Sequence, residues 1–154
     1  MILETNVDKI RQMAFDRDDE NRSFRAFLQL QNPDDIDKIV NALDAEITPL
    51  FSCVECGACC NHVRPIATDE EMLKFVDEDK IDELRYEPSI VCKHLNGKEC
   101  TIYADRYDHC KQFPYLDQVG FVKRISGVLF NYELCPIVFN VVEQLKLKLG
   151  WEYK

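Results

Sequence analysis

The chain lacks the motifs of several common catalytic and membrane protein classes. No apolar run approaches the eighteen or more residues of a membrane-spanning helix. The N-terminal segment lacks the basic and apolar regions of a signal peptide. GxGxxG, P-loop and HExxH motifs are also missing, so the common dinucleotide, nucleotide-phosphate and zinc-protease sites are not indicated. We therefore expect a cytoplasmic protein with no membrane association and no conventional catalytic constellation.

Basic residues are fewer than acidic ones. The chain has 19 lysines and arginines and 28 aspartates and glutamates, which gives a formal net charge of −9. Residues 1–50 carry 11 acidic and 6 basic residues. A chain with this balance repels a phosphate backbone, which argues against nucleic acid as a partner. The acidic N-terminal helices are instead the expected surface for a protein partner.

Length and periodicity predict the architecture. A chain of 154 residues with 46% apolar residues is typical of one globular domain, 1–154. We predict three parts: cysteine-free N-terminal helices in 1–50, a cysteine-cluster metal-binding region in 51–140, and a closing helix in 134–150. The predicted fold class is mainly α with small β-hairpins, an α+β arrangement in which a metal-stapled, irregular cysteine-rich segment packs on helices.

Local signals predict where helices begin. Asn32 followed by Pro33 is a helix start with a capping side chain and a proline in the first turn. Thr68 and Glu71 have the spacing of a capping box. A polar break is expected over residues 16–21. Pro136 lies in the first turn of the closing helix, whose spacing places Cys135 on the inward face.

Two hairpins are predicted from turn signals. Asn96-Gly97 between β-like runs in 89–103 is a strong short-range hairpin signal, and folding it would bring Cys92 and Cys100 together. A second hairpin is expected within 120–130, with its turn near Ser126-Gly127.

Cysteine is the feature that the chain has in excess. The run Cys53-Val-Glu-Cys56-Gly-Ala-Cys59-Cys60 holds four thiols in eight residues, and four more cysteines follow. Thiols at this spacing can converge on one metal ion or cluster. Disulfides are disfavoured, since the expected compartment keeps thiols reduced. We predict that all eight cysteines are metal ligands: Cys53, Cys56, Cys59, Cys60, Cys92, Cys100, Cys110 and Cys135.

The adjacency of Cys59 and Cys60 bears on the number of sites. Neighbouring side chains seldom reach one centre without strain, so two sites, or one site with spare thiols, are both open. In one partition the CxxCxxC run and the remote Cys-Pro hold a [4Fe–4S] cluster, as in bacterial ferredoxins. That set is Cys53, Cys56, Cys59 and Cys135; the second, suited to zinc, is Cys60, Cys92, Cys100 and Cys110. Zinc in both sets is the alternative, because zinc and iron–sulfur centres share tetrahedral sulfur ligation.

Other side chains near the cysteines have weaker claims. His62, His94 and His109 could each replace a thiol or donate to a sulfur, although a solvated loop position explains each more simply. Arg106 could offset thiolate charge or be an ordinary surface residue. Tyr103 and Phe113 are expected in the core.

These motifs resemble the YkgJ-like CxxCxxCC cysteine-cluster family of zinc- or iron-chelating proteins. Besides the 53–60 run, the matching segments are 92–97, 100–106 and 110–114, and the resemblance covers about residues 50–140. Tyr107 stands where the family usually has proline, and Lys111 where it has arginine. The resemblance implies metal chelation through the eight cysteines. A related cluster in flagellin lysine methylases implies an enzymatic alternative.

We therefore predict a metal-binding protein that coordinates an iron–sulfur cluster, zinc or both through eight cysteines. Its expected role is in redox chemistry, metal handling or cluster carriage. A structural zinc-binding interaction module and an iron–sulfur transferase component are the two alternatives.

Overall fold

The structure of the protein is a computed structural model that describes residues 1–52, 56, 58–61 and 68–154, without the side chains of Asn61 and His109. The chain divides into two compact units. Unit 1 consists of Met1–Phe51 and His109–Lys154, and unit 2 of Ser52–Asp108. Each unit has its own cluster of buried apolar residues.

Helices dominate the described residues. They are α1 (Val7–Asp16), α2 (Asp18–Leu28), α3 (Pro33–Ile47), α4 (Asp69–Leu73), α5 (Ile81–Leu84), α6 (Asp108–Gln112), α7 (Ile125–Tyr132) and α8 (Pro136–Lys148). Short 3₁₀ helices span Thr48–Leu50, Cys59–Asn61, Glu78–Lys80 and Tyr103–Asp105. Strands β1 (Leu95–Asn96) and β2 (Glu99–Cys100) form an antiparallel hairpin. The predicted fold class, mainly α with a small hairpin, is confirmed.

Helix α3 begins as predicted. The Asn32 side chain accepts hydrogen bonds from the backbone N–H groups of Asp34 and Asp35, at 2.9 and 3.3 Å. Pro33 occupies the first helical position, where a missing N–H costs little. The apolar stripe of α3 is buried, and α3 packs against α8 in the core of unit 1.

The polar break between the first two helices is shorter than expected. Helix α2 begins at Asp18, so Arg17 alone separates it from α1. Asp18, Asp19 and Glu20 form the first turn of α2, where carboxylates interact favourably with the positive end of the helix dipole. The acidic residues that predicted a loop therefore form the start of a helix.

The second predicted hairpin is wrong, because α7 occupies that part of the chain. Ile125, Val128 and Tyr132 are buried at helical spacing, and Gly127, expected in the turn, lies inside the helix. Helix α7 packs against α8 and α2. Burial of one apolar stripe outweighs the turn preference of Ser126-Gly127.

The closing helix is confirmed as α8. Pro136 is in its first turn, and Cys135 caps it and is 8% exposed within the core of unit 1. Within the described ranges no single helix is long and apolar enough to cross a bilayer; α7 and α8 reach that length only together and are bent by 116°.

Helix α4 of unit 2 begins at the predicted N-cap residue, Thr68, while the Glu71 carboxylate accepts from Lys74. The Thr68 hydroxyl accepts a hydrogen bond from the Glu71 backbone N–H at 3.3 Å. The helix ends at Leu73, earlier than expected, although Phe75 and Val76 are buried. The core of unit 2 consists of Met72, Phe75, Val76, Ile81, Ile90 and Cys92.

The first hairpin is confirmed, with its turn one residue later than predicted. Leu95 pairs with Cys100 and Asn96 with Glu99, so Gly97 and Lys98 make the turn. Gly97 has a φ of 64°, a conformation that suits glycine. Each strand is only two residues long, much shorter than the runs expected over 89–103.

Candidate metal centre

The structure describes seven of the eight predicted ligands, and none of the seven forms a disulfide. Unit 2 contains Cys56, Cys59, Cys60, Cys92 and Cys100, and unit 1 contains Cys110 and Cys135. Cys53 and His62, and the irregular structure expected after Cys60, lie outside the described residues. For His109 only the backbone, in α6, is described.

A backbone hydrogen bond joins the cysteine run to the segment before the hairpin. The N–H of Cys92 donates to the carbonyl oxygen of Cys60 at 2.7 Å. The side chain of Cys92 is buried in the core of unit 2, and Cys60 packs against the same core, half-buried. Two cysteines 32 positions apart in the chain are thereby held side by side.

The hairpin brings the backbone of Cys100 near that of Cys92, because Cys100 pairs with Leu95, whose N–H donates to the carbonyl oxygen of Cys92 at 3.1 Å. Burial raises the pKa of the Cys92 thiol, a backbone hydrogen bond from His94 lowers it, and the charges of Cys60 and Cys100 raise it. Like charges have this effect only at short range. The hairpin pairing agrees with the predicted approach of Cys92 and Cys100, and a backbone hydrogen bond links Cys92 to Cys60.

Cys59 and Cys60 interact directly, although they are adjacent in the chain. The Cys59 thiol hydrogen-bonds to the Cys60 sulfur and lowers the pKa of Cys60 to about 7, against the opposing effect of burial. Cys59 itself is exposed. Because the thiolate is the metal-binding form of cysteine, Cys60 is a favourable donor near neutral pH.

In unit 1, Cys110 is exposed on α6, whereas Cys135 is buried at the start of α8. Burial and the charge of Cys110 both raise the pKa of Tyr115. Within the described side chains, no group of three or more His, Cys, Asp or Glu residues is placed to hold a metal ion.

The donor chemistry of unit 2 nevertheless fits a thiophilic metal. A backbone hydrogen bond joins Cys92 to Cys60, Cys100 lies on the second strand of the following hairpin, and Cys59 adjoins Cys60. Soft thiolate donors select zinc or iron–sulfur clusters over hard cations such as Mg²⁺ or Ca²⁺.

The neighbouring polar residues make contacts of their own. The Tyr107 hydroxyl lies 3.5 Å from Nε2 of His94. Arg106, a candidate thiolate partner, stacks its guanidinium 4.0 Å from the centroid of the Tyr103 ring. Tyr103 is 36% exposed, so its expected core position is wrong, whereas Phe113 packs against the core of unit 1 as expected.

Tyr107 contacts His94 in a way that the sequence did not predict. Its ring contacts Phe75 edge-on at 5.7 Å between centroids and lies 5.6 Å from Nζ of Lys74. The signal in the sequence was its departure from the family's proline, which marks a position where this chain has a larger, polar side chain.

Comparison with known proteins gives one match, to a family profile described as "Putative zinc- or iron-chelating domain", over residues 52–135. The chain belongs to this CxxCxxCC family. The CxxCxxCC domain here extends from the residue before Cys53 to Cys135, so it contains every cysteine in the sequence. No curated protein and no solved structure shows significant similarity to the chain.

The match leaves α1, α2 and α3 outside the CxxCxxCC domain. This agrees with the expectation that the N-terminal helices are not part of the family resemblance. Zinc or iron chelation is the property that the family description supports for residues 52–135.

Proposed function

We propose that the protein coordinates an iron–sulfur cluster, zinc or both through its eight cysteines, in a redox, metal-handling or cluster-carrying role. The observation that carries this proposal lies in unit 2, where the Cys92 N–H donates to the Cys60 carbonyl oxygen at 2.7 Å and the hairpin pairs Cys100 with Leu95. Three like-charged thiolates repel one another, and a bound cation removes that repulsion.

These backbone contacts also support the division of the ligands into two sets. Cys60, Cys92 and Cys100 belong to the same proposed set, which Cys110 would complete. The other set is Cys53, Cys56, Cys59 and Cys135. When bound, an iron–sulfur cluster supplies one-electron chemistry, whereas zinc with four thiolates supplies structural closure.

The residues around the thiols have distinct parts in this proposal. Burial raises the pKa of the Cys92 thiol, and a hydrogen bond from the His94 backbone acts in the opposite direction. Cysteine binds metal as the thiolate, so metal binding at Cys59 and Cys60 requires the loss of their thiol protons. Metal uptake should therefore release protons.

Anaerobic purification followed by metal and acid-labile sulfide analysis tests the proposal. We expect about one cluster or about one ion for each four-cysteine set, because four-thiolate coordination is the rule for these metals. A brown protein that bleaches on reduction would identify iron–sulfur, and a colourless one with stoichiometric zinc would identify zinc. Protein that binds neither under anaerobic reconstitution would refute metal chelation.

The division of ligands is tested by single cysteine-to-serine variants. Cys59→Ser and Cys60→Ser should deplete different centres, whereas Cys60→Ser and Cys92→Ser should deplete the same one. The matched control is Ser89→Ala, which alters an exposed residue of unit 2. Identical losses in Cys59→Ser and Cys60→Ser would contradict the partition.

A structural zinc module that binds a protein partner is the second candidate. It is favoured by Phe15, whose ring is 81% exposed on α1, beside a cavity of about 390 Å³. Asp16, Asp18 and Asp19 line the same cavity, which suits a partner segment with basic and apolar residues. Under this candidate the protein holds only zinc, and a chelator unfolds unit 2. Bound iron and sulfide would exclude it.

A further inference from the structure

Helices α2 and α7 leave an open groove between them on unit 1. The groove contains a cavity of about 350 Å³. The cavity is lined on α2 by Asp18, Arg22 and Arg25, and on α7 by Leu129, Phe130 and Glu133. Residues at this spacing share one face of a helix, so each helix presents a stripe of side chains to the groove.

The cavity beside Phe15 continues this groove past the end of α1. Asp18 and Glu133 line both cavities, so the two are contiguous. Phe15 is 81% exposed in the one, and Phe130 is 42% exposed in the other. Exposed aromatic rings are typical anchors of protein interfaces, because they bury a large apolar area at a small entropic cost. Each part of the groove therefore offers an apolar contact to a partner.

The two parts of the groove differ in charge. Four acidic residues line the cavity beside Phe15: Asp16, Asp18, Asp19 and Glu133. The other cavity also contains two arginines, Arg22 and Arg25. Arg22 already pairs with Asp18, but no ion pair joins Arg25 or Glu133 to another described residue. A partner with a carboxylate near one end and an ammonium near the other would pair with both.

The walls of the groove favour a helical partner. Both α2 and α7 use their backbone hydrogen-bonding groups within the helix, and the described part of unit 1 contains no strand. An extended segment would therefore find no strand edge with which to pair its backbone. A helix satisfies its own backbone groups, and its side chains can pack between those of two neighbouring helices.

We propose that this α2–α7 groove binds an amphipathic helix of a partner protein, whose acidic end pairs with Arg25 and whose basic end pairs with Glu133. The apolar face of that helix covers Phe15, Leu129 and Phe130. Asp18 and Arg25 are seven positions apart, about 10 Å along α2, so the partner helix needs at least two turns. The inference rests on the partner-binding role proposed above, and adds the surface, conformation and charge pattern of the contact.

The test is a fluorescence-anisotropy titration of a labelled synthetic peptide with the purified full chain. The peptide has about 14 residues, with leucines at helical spacing, glutamates in its first turn and lysines in its last, a pattern that also stabilises its helix. We expect saturable binding, and about 10-fold weaker binding in Phe15→Ala, because this variant loses an aromatic anchor. Leu30→Ala is the matched control, since Leu30 is 85% exposed and lines neither cavity.

Charge reversal tests the polarity of the contact. Arg25→Glu should weaken binding of this peptide about 5-fold. A second peptide, with lysines in place of the glutamates, should bind Arg25→Glu more tightly than it binds the parent. Lys9→Glu changes the net charge equally at an exposed position of α1 that lines neither cavity, and should stay within about 2-fold of the parent for both peptides.

Several results would overturn the inference. These are the absence of saturable binding, equal losses in Phe15→Ala and Leu30→Ala, and equal effects of Arg25→Glu and Lys9→Glu. A dimer of the full chain in sedimentation experiments that Phe15→Ala dissociates would assign the groove to a second copy, and would also overturn it. Circular dichroism spectra that match the parent establish that the variants are folded.

Metal and sulfide analysis of the same samples separates this inference from metal chelation. Peptide binding by protein that takes up no metal supports the groove and refutes chelation. Metal-loaded protein that does not bind the peptide refutes the groove alone.

Discussion

Replacement of Lys146 by methionine is expected to destabilise unit 1 strongly. Lys146 is 4% exposed on α8, and its ammonium donates to Glu20, Asn21 and Glu143, each at 2.8 Å. The same ammonium lies 5.7–5.8 Å from the ring centroids of three aromatic residues, Phe24, Tyr132 and Trp151. Methionine retains the apolar stem and removes only the charge and its donors.

The magnitude follows from what the substitution leaves behind. Removal of one partner of a buried ion pair costs about 3–5 kcal/mol. The side chains of Glu20 and Glu143 are 24% and 20% exposed, and Glu143 also accepts from Arg17 and from the Tyr132 hydroxyl at 2.6 Å. Solvent and the remaining partners therefore still stabilise both carboxylates in part. We expect a loss in the free energy of unfolding at the low end of the range, about 3 kcal/mol.

Urea unfolding measured by tryptophan fluorescence is the appropriate assay. Trp151 is the single tryptophan, and its ring contacts Phe24 with centroids 5.0 Å apart, so its emission reports on the environment of Lys146. A loss of about 3 kcal/mol lowers the urea midpoint by about 1–3 M. Lys148→Met, at an exposed position of the same helix, should change stability by less than about 0.5 kcal/mol. A loss below about 1 kcal/mol in Lys146→Met would refute the reasoning.

Two further predictions concern the same unit. Asp37 accepts hydrogen bonds from the backbone N–H groups of Gly120 and Phe121, both at 2.9 Å. In urea unfolding, Asp37→Ala should lower the free energy of unfolding by about 2 kcal/mol, and Asp37→Asn should lower it less. Equal losses in the two variants would contradict this prediction. Burial and Glu143 raise the pKa of Tyr132 well above its usual value. The folded state therefore binds the extra proton at high pH, and stability should fall above about pH 10, less steeply in Tyr132→Phe. Identical pH profiles would disprove that assignment.

Elements whose signals are local could be predicted from the sequence. Asn32 and Pro33 define the start of α3 by capping chemistry within three residues, and Thr68 does the same for α4. The hairpin prediction around Gly127 was wrong because the sequence there is compatible with both a turn and a helix. A Ser-Gly pair is a common turn, yet the residues around it also have helical spacing, and packing against α2 and α8 decides between the two.

In the candidate site, too, features with a local sequence signal were predictable, whereas contacts between distant segments were not. The cysteine spacing was sufficient to predict the CxxCxxCC family, and Asn96-Gly97 was sufficient to predict the hairpin between Cys92 and Cys100. No periodicity relates Cys60 to Cys92, because their link is a hydrogen bond between two irregular segments. The contacts of Lys146 and Tyr107 were likewise beyond prediction, since they depend on which helices and loops become neighbours in the folded chain.

The discontinuous chain path of unit 1 has a consequence for the order of assembly. Helices α3 and α8 pack together, yet all of unit 2 lies between them in the chain. During synthesis the cysteines of unit 2 emerge before α8 exists, so metal can reach them while the core of unit 1 is still open. Joining α3 to α8 closes a long loop, whose entropic cost rises with the logarithm of its flexible length. Metal that orders unit 2 would shorten that flexible length, and would thereby favour the folding of unit 1, which contains only two of the predicted ligands, Cys110 and Cys135.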